Sequence, residues 1–316
     1  MGRRWVVGID VGNTRLSVGL VSEGGELGHL EREATPREAG GPATIETLCS
    51  MIERVLKIAG EVPVLGIGVG FGGPVDYGRQ ETRMSHHAPG WEGIRLGEVL
   101  GRRFGIPVRI ENDANAGGLG EAVFGAGRGH SEVLYVNIGT GVGGAVITNG
   151  AVLHGAHSNA GEFGHMVIDP SGPPCTCDKR GCVEAFCSGD AIGLAACGLR
   201  EQGRGFEQYE AQELTGRKVG ELAQSGDADA LGVIERSAER MGFALALAAD
   251  LLDPGIIVLG GGVPELGNVY LGPVRAAFRA YAMDVPAQET EVVAAHLGYN
   301  AGVIGAAAVC LQQPLS

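Results

Sequence analysis

Two stretches of this chain, far apart, share one construction. "RWVVGID" is an apolar run that reads as a buried strand, "NTR" after it as a tight turn and "LSVGLV" as a second strand. Between Glu132 and Gly150, "EVLYVNIGTGVGGAVITNG" is again strand, glycine turn, strand. Such an echo implies a duplicated architecture, and so restricts the folds open to the chain more than any other feature.

At 316 residues the chain exceeds the size at which a single core stops growing, which agrees with two domains. Leu48, Ile52, Val55, Leu56 and Ala59 recur at helical spacing, with Gly60 as a stop, and "VLGIGVG" follows as a strand. "PVRIENDAN" predicts a short strand running into a helix, and 227–252 a long apolar helix closed by Pro254 before the strand "IIVLGGG". "NAGVIGAAAVCLQ" predicts a small-residue helix able to pack closely. Hairpins among βα units give an α/β class with mixed sheets. The boundary is expected just after Asn112, giving a smaller domain 1–112, rejoined by a C-terminal helix 300–316, and a larger domain 113–299 carrying the cysteine loop.

"GTGVGG" matches the dinucleotide glycine pattern at Gly139, Gly141 and Gly144, but that fingerprint needs a helix next, and "AVITNG" reads as a strand. Two readings remain: a hairpin turn using glycine for positive φ, or a turn whose N–H groups and Thr140 hydroxyl grip a phosphate. No P-loop pattern occurs, so any phosphate device lies elsewhere. "DVGNTR" at 10–15 offers a carboxylate able to hold magnesium through water and a turn bearing Thr14 and Arg15; alone, it is an ordinary hairpin.

The most specific stretch is "GEFGHMVIDPSGPPCTCDKRGCVE". His165, Cys175, Cys177 and Cys182 offer one imidazole and three thiolates, a set suited to tetrahedral zinc with no open position, hence structural; free thiols are the plain alternative. Cys49, Cys187, Cys197 and Cys310 stand apart and read as small buried hydrophobes. Glu162 and Glu184 lie beside the metal set, where a fixed loop would hold their carboxylates ready for paired hydroxyls; singly, each is a surface charge. In "ENDANAGGLGE", Asp113 is either a helix cap or a proton acceptor with Asn112 fixing a substrate beside it.

A net charge of −13 argues against a nucleic-acid partner. No signal-peptide core or membrane-length apolar run occurs, so a cytoplasmic protein with no membrane partner is expected.

The ordered series "DVGNTR", "GPVD", "PGW", "ENDANAGGLGE", "NIGTGVGGA", "GEFGHM", "CTCDKRGCVE", "IIVLGGG" and "AGVIGAAA" resembles the ROK sugar kinases, on their bacterial glucokinase side, within the actin and hexokinase superfamily. The resemblance implies a two-domain actin-like (ribonuclease H-like) ATPase fold with an interdomain cleft, and ATP-dependent phosphorylation of a hexose. Glucose at its 6-hydroxyl is the first expectation; fructose, mannose or an N-acetylhexosamine are the alternatives. It further implies that Asp113 is the general base, that Gly72, Asn112, Glu162, His165 and Glu184 bind sugar, and that zinc sits at His165, Cys175, Cys177 and Cys182. MgATP is implied at Asp10, Gly12, Asn13, Thr14, Arg15, Gly139, Thr140 and Gly141, adenosine near Gly260, Gly261 and Gly262, and the assembly is implied to be a homodimer. Asn13 and Arg15 replace a Gly and a Lys of the family's phosphate motif; Asn is expected to tolerate the positive φ of that turn and Arg to keep a cation for phosphate. Gly72 replaces a proline, which is expected to loosen its loop, and His87 stands where an Asn is usual. A non-catalytic sugar sensor is the rival reading. Repressors of this family carry a helix-turn-helix domain ahead of the first motif, and the nine residues before Asp10 leave no room for one, so such a sensor would act through a protein partner.

Overall fold

The computed structural model describes residues 4–84 and 89–312; His87 lies outside them. The opening hairpin forms as expected, from β1 (Trp5–Val11) and β2 (Arg15–Ser22), and β3 (Leu27–Ala34) follows. Next come α1 (Gly40–Ala59), β4 (Val64–Phe71), the short β5 (Val75–Asp76) and β6 (Glu81–Thr82), α2 (Leu96–Phe104), β7 (Val108–Asn112) and α3 (Asp113–Phe124). The sheet order is β3-β2-β1-β4-β7, with β1 antiparallel to β2 and parallel to β4, and β4 parallel to β7. Parallel pairing brings the C-terminal ends of β1, β4 and β7 to one edge. Asp10 pairs with Gly70, and Phe71 with Asn112. Ligands of open α/β sheets bind at this edge.

The second hairpin is β8 (Val133–Ile138) and β9 (Val142–Thr148), followed by β10 (Ala151–Val152). After it run α4 (Val183–Cys187), α5 (Gly189–Glu201), α6 (Gly216–Gln224), α7 (Ala228–Leu252), β11 (Ile256–Gly260), α8 (Asn268–Tyr281), α9 (Asp284–Glu289), β12 (Glu291–Ala294) and α10 (Ala301–Gln312). The sheet order β10-β9-β8-β11-β12 repeats that of the first sheet: outer strand, hairpin, then two parallel strands. The duplication read from the glycine turns is therefore a duplication of topology.

Contacts divide the chain into two compact units, one of Met1–Ser131, Ala145–Gly161 and His296–Ser316, the other of Glu132–Gly144 and Glu162–Ala295. The first unit reaches past Asn112 because α3 packs on β4 and α10. In this unit α1 buries Leu48, Ile52 and Val55 with Val7, Ile9, Ile67 and Val69, while α10 buries Val303, Ile304, Ala307 and Cys310 with Val6 and Val21. Gly8 and Gly68 permit that approach: a Cβ on either would strike the Val303 or Ala306 carbonyl of α10. Among the described residues, no helix is long and apolar enough to cross a membrane.

Candidate active site

The expected site residues fall in two groups, one in each unit. Asp10, Gly12, Asn13, Thr14, Arg15, Gly72, Asn112 and Asp113 belong to the first unit. Gly139, Thr140, Gly141, Glu162, His165, Cys175, Cys177, Cys182, Glu184, Gly260, Gly261 and Gly262 belong to the second.

In the first group, β7 ends in Asn112, which is the cap of α3: its Oδ1 accepts from the N–H groups of Ala114 (3.0 Å) and Asn115 (3.2 Å). Asp113 is therefore not the cap. It is the first helical residue and is exposed. Its Oδ1 accepts from Ala114 N (2.9 Å) and from Asn112 Nδ2 (3.1 Å), and Asn112 Nδ2 also donates to the Gly73 carbonyl (3.2 Å). Gly72 faces the same place, since a Cβ there would lie 3.7 Å from both Asp113 Oδ2 and Asn13 Oδ1. Gly72 N donates to Val11 O (3.1 Å), a tie to β1 that a proline there could not make.

Asp10, the penultimate residue of β1, lies beside this group, and the first turn of α10 backs it: a Cβ on Gly302 would lie 2.7 Å from Asp10 Cγ. Burial first, and then the negative charge of Asp113, raise the Asp10 carboxyl to about 7, with Arg32 acting the other way. Two acids so placed are relieved by a cation. The turn after Asp10 is braced by Gly12 N donating to Arg15 O (3.1 Å) and by Thr35 Oγ1 donating to Gly12 O (2.7 Å). Asn13 does not take a positive φ, contrary to expectation, because the turn closes without a left-handed residue there. Thr14 and Arg15 are exposed.

In the second group the hairpin turn is closed by Gly139 N donating to Gly141 O (2.9 Å), and Gly189 N at the start of α5 donates to Gly139 O (2.7 Å). Gly139 and Gly141 are also not at positive φ. A Cβ on Gly141 would lie 2.6 Å from Glu184 Oε2 and would have to displace that carboxylate, which accepts from Val142 N (3.0 Å). Glu184 Oε1 accepts from the Thr176 hydroxyl (2.8 Å). One carboxylate thus joins the glycine turn to the cysteine loop. Gly260 and Gly261 lie against the end of β8, Gly261 at φ 88°, and Val263 N donates to Ile138 O. Glu162 is exposed, just ahead of the turn Phe163–His165.

The four metal-binding candidates converge. The ligand atoms of His165, Cys175, Cys177 and Cys182 lie within 4.8 Å of one another, with Cys177 Sγ 3.6 Å from Cys182 Sγ. Edges of this size suit a tetrahedral ion bound at about 2.0–2.3 Å. Burial and then the neighbouring thiols push the Cys182 thiol up to about 12, a cost to its thiolate that a bound cation would relieve. Cys49, Cys187 and Cys310 are buried and Cys197 is partly so, as read from the sequence.

Two residues that the sequence did not single out for a role, Glu111 and His154, adjoin the first group. Glu111 is 2% exposed; its Oε1 accepts from Asn112 N (2.9 Å) and Asn115 Nδ2 (3.0 Å), and its Oε2 lies 2.6 Å from His154 Nε2. His154 stacks on Tyr77 with ring centroids 3.7 Å apart. The only signal was the polar run around Glu111; nothing in it points to His154.

The sequence model of the ROK family matches residues 6–313. The glucokinase of Halalkalibacterium halodurans is 35% identical over 99% of this chain and 97% of its own length, and that of Thermotoga maritima 35% identical over 96% of each. Among solved structures, a ROK family glucokinase from Streptomyces griseus in complex with glucose and AMPPNP superposes with a TM-score of 0.83 at 32% identity, covering 98% of this chain and 100% of that one.

Proposed function

The chain belongs to the ROK family, and from that premise and the site geometry we propose that it is an ATP-dependent hexose kinase acting on glucose at the 6-hydroxyl. The observation that carries the reading is Asp113, exposed at the first position of α3 and held through its Oδ1 by Asn112 and Ala114. The glucose-bound relative supports the substrate and its AMPPNP the nucleotide.

In the proposed reaction Asp113 takes the proton of the 6-hydroxyl as that oxygen bonds to the γ-phosphorus, and the bond to the β–γ bridging oxygen breaks to release ADP. Asp10 would hold magnesium through water, and the ion would supply positive charge to the phosphates. The turns at Gly12–Arg15 and Gly139–Gly141 offer N–H groups, the Thr14 and Thr140 hydroxyls and Arg15 to the phosphate oxygens, and Gly260–Gly262 make room for adenosine. Glu162, His165 and Asn112 would hold sugar hydroxyls. Glu184, with both oxygens engaged, would act first by orienting the loop and the turn. Structural zinc at His165, Cys175, Cys177 and Cys182 would fix that loop.

The test is ADP release coupled to a reporter, measured over glucose, fructose, mannose and N-acetylated hexosamines. The expected result is the highest kcat/KM with glucose. ATP turnover independent of every sugar would contradict the reading.

A further inference from the structure

We propose that His154 is a positioning residue for phosphoryl transfer: through Glu111 it sets the turn Asn112–Asp113 that presents the general base. This rests on the kinase reading above. Glu111 immediately precedes the cap, and its carboxylate is buried. A buried carboxylate must have its acceptor positions filled or it rotates, or protonates, to fill them. Here Oε1 is filled by Asn112 N and Asn115 Nδ2, both in the turn that carries Asp113. Oε2 is filled by His154 Nε2. From the imidazole to Asp113 the path is therefore three direct contacts: His154 to Glu111, Glu111 to Asn112, and Asn112 Nδ2 to Asp113 Oδ1.

The imidazole is itself held. Tyr77 stacks on it at an interplanar angle of 15°. The turn bearing Tyr77 is clamped to β7 by Gln80, whose Nε2 donates to Tyr77 O (2.7 Å) and whose Oε1 accepts from Ile110 N (2.8 Å). Gln80 adopts φ 54°, a left-handed conformation unusual for its type, to make this clamp. A strained residue, a stacked pair and a buried acid thus converge on one helix start, an arrangement that core packing alone does not need.

Two substitutions separate the roles. His154→Gln places an amide N–H near the position of Nε2 and can still reach Glu111; His154→Asn reaches only as far as Nδ1 and cannot. The expected result is that His154→Asn lowers kcat with glucose by about 10-fold or more, as small misplacements at a reacting centre do, while both KM values stay within about twofold and His154→Gln regains most of the turnover. His154→Phe, which keeps the stack but not the donor, should resemble His154→Asn. Three outcomes overturn the assignment alone while leaving a glucose kinase intact: unchanged kcat in His154→Asn, an equal loss in His154→Gln, or a loss confined to KM and thermal stability. A wild-type protein that phosphorylates no hexose overturns both readings.

Discussion

Residue by residue, Asp113 and Asp10 make opposite demands. Asp113→Asn keeps the shape and an acceptor but cannot take a proton, so kcat should fall by roughly 100-fold or more with glucose affinity little changed; steady-state kinetics beside calorimetric glucose binding checks this. Asp10 has a folded-state carboxyl raised from 3.8 to about 7. Its contribution to stability is therefore fully present below about pH 4 and is lost as pH rises through 7. Without added divalent cations, Asp10→Asn should be more stable than the wild type at pH 8, by up to about 4 kcal/mol, and no more stable at pH 4. Thermal midpoints across that range test it. The polar run at 111–113 announced a helix start in the sequence and left Asp113 open between cap and proton acceptor, but its division of labour was not legible. Asn112 takes the cap, and Glu111 depends on a histidine 43 positions away that sits in no motif.

Elements show where local signals suffice. The hairpins, α1 and α7 follow from apolar periodicity and from stops at Gly60 and Pro254, all short-range features. The convergence of His165, Cys175, Cys177 and Cys182 was legible because their spacing is local as well. The linkage of that loop to the glycine turn was not, since it runs through Glu184 to Val142 and Thr176, and it changes an expectation. Reasoning from the sequence, loss of the metal should weaken sugar binding and spare ATP. With Glu184 holding the turn, Cys177→Ser should lose the metal by elemental analysis and weaken both ligands in equilibrium binding. Sugar binding alone weakened would show that Glu184 does not transmit the loop's order. Gly141→Ala should weaken ATP without metal loss, because its Cβ displaces Glu184.

For the whole molecule, the repeated sheet order is what the repeated glycine turns foretold. The extent of the first unit was harder to read, because α3 is built of Gly and Ala and shows no face. Its partner becomes visible only where Gly120 and Gly305 let α3 and α10 touch. Glu121 at 0% exposure locks this packing by accepting from Ala126 N (2.8 Å), His296 N (3.0 Å) and Leu297 N (2.7 Å). Glu121→Gln would turn an amide N–H2 toward those donors and should cost about 2–4 kcal/mol, read as a thermal midpoint lower by several degrees. The central claim concerns chemistry, and the product tests it most directly. Purified protein with MgATP and glucose should yield a sugar phosphate whose NMR spectrum shows phosphorus coupled at carbon 6, with one ADP per product. Phosphate on another hydroxyl, or ADP formed with no sugar phosphate, would contradict the account.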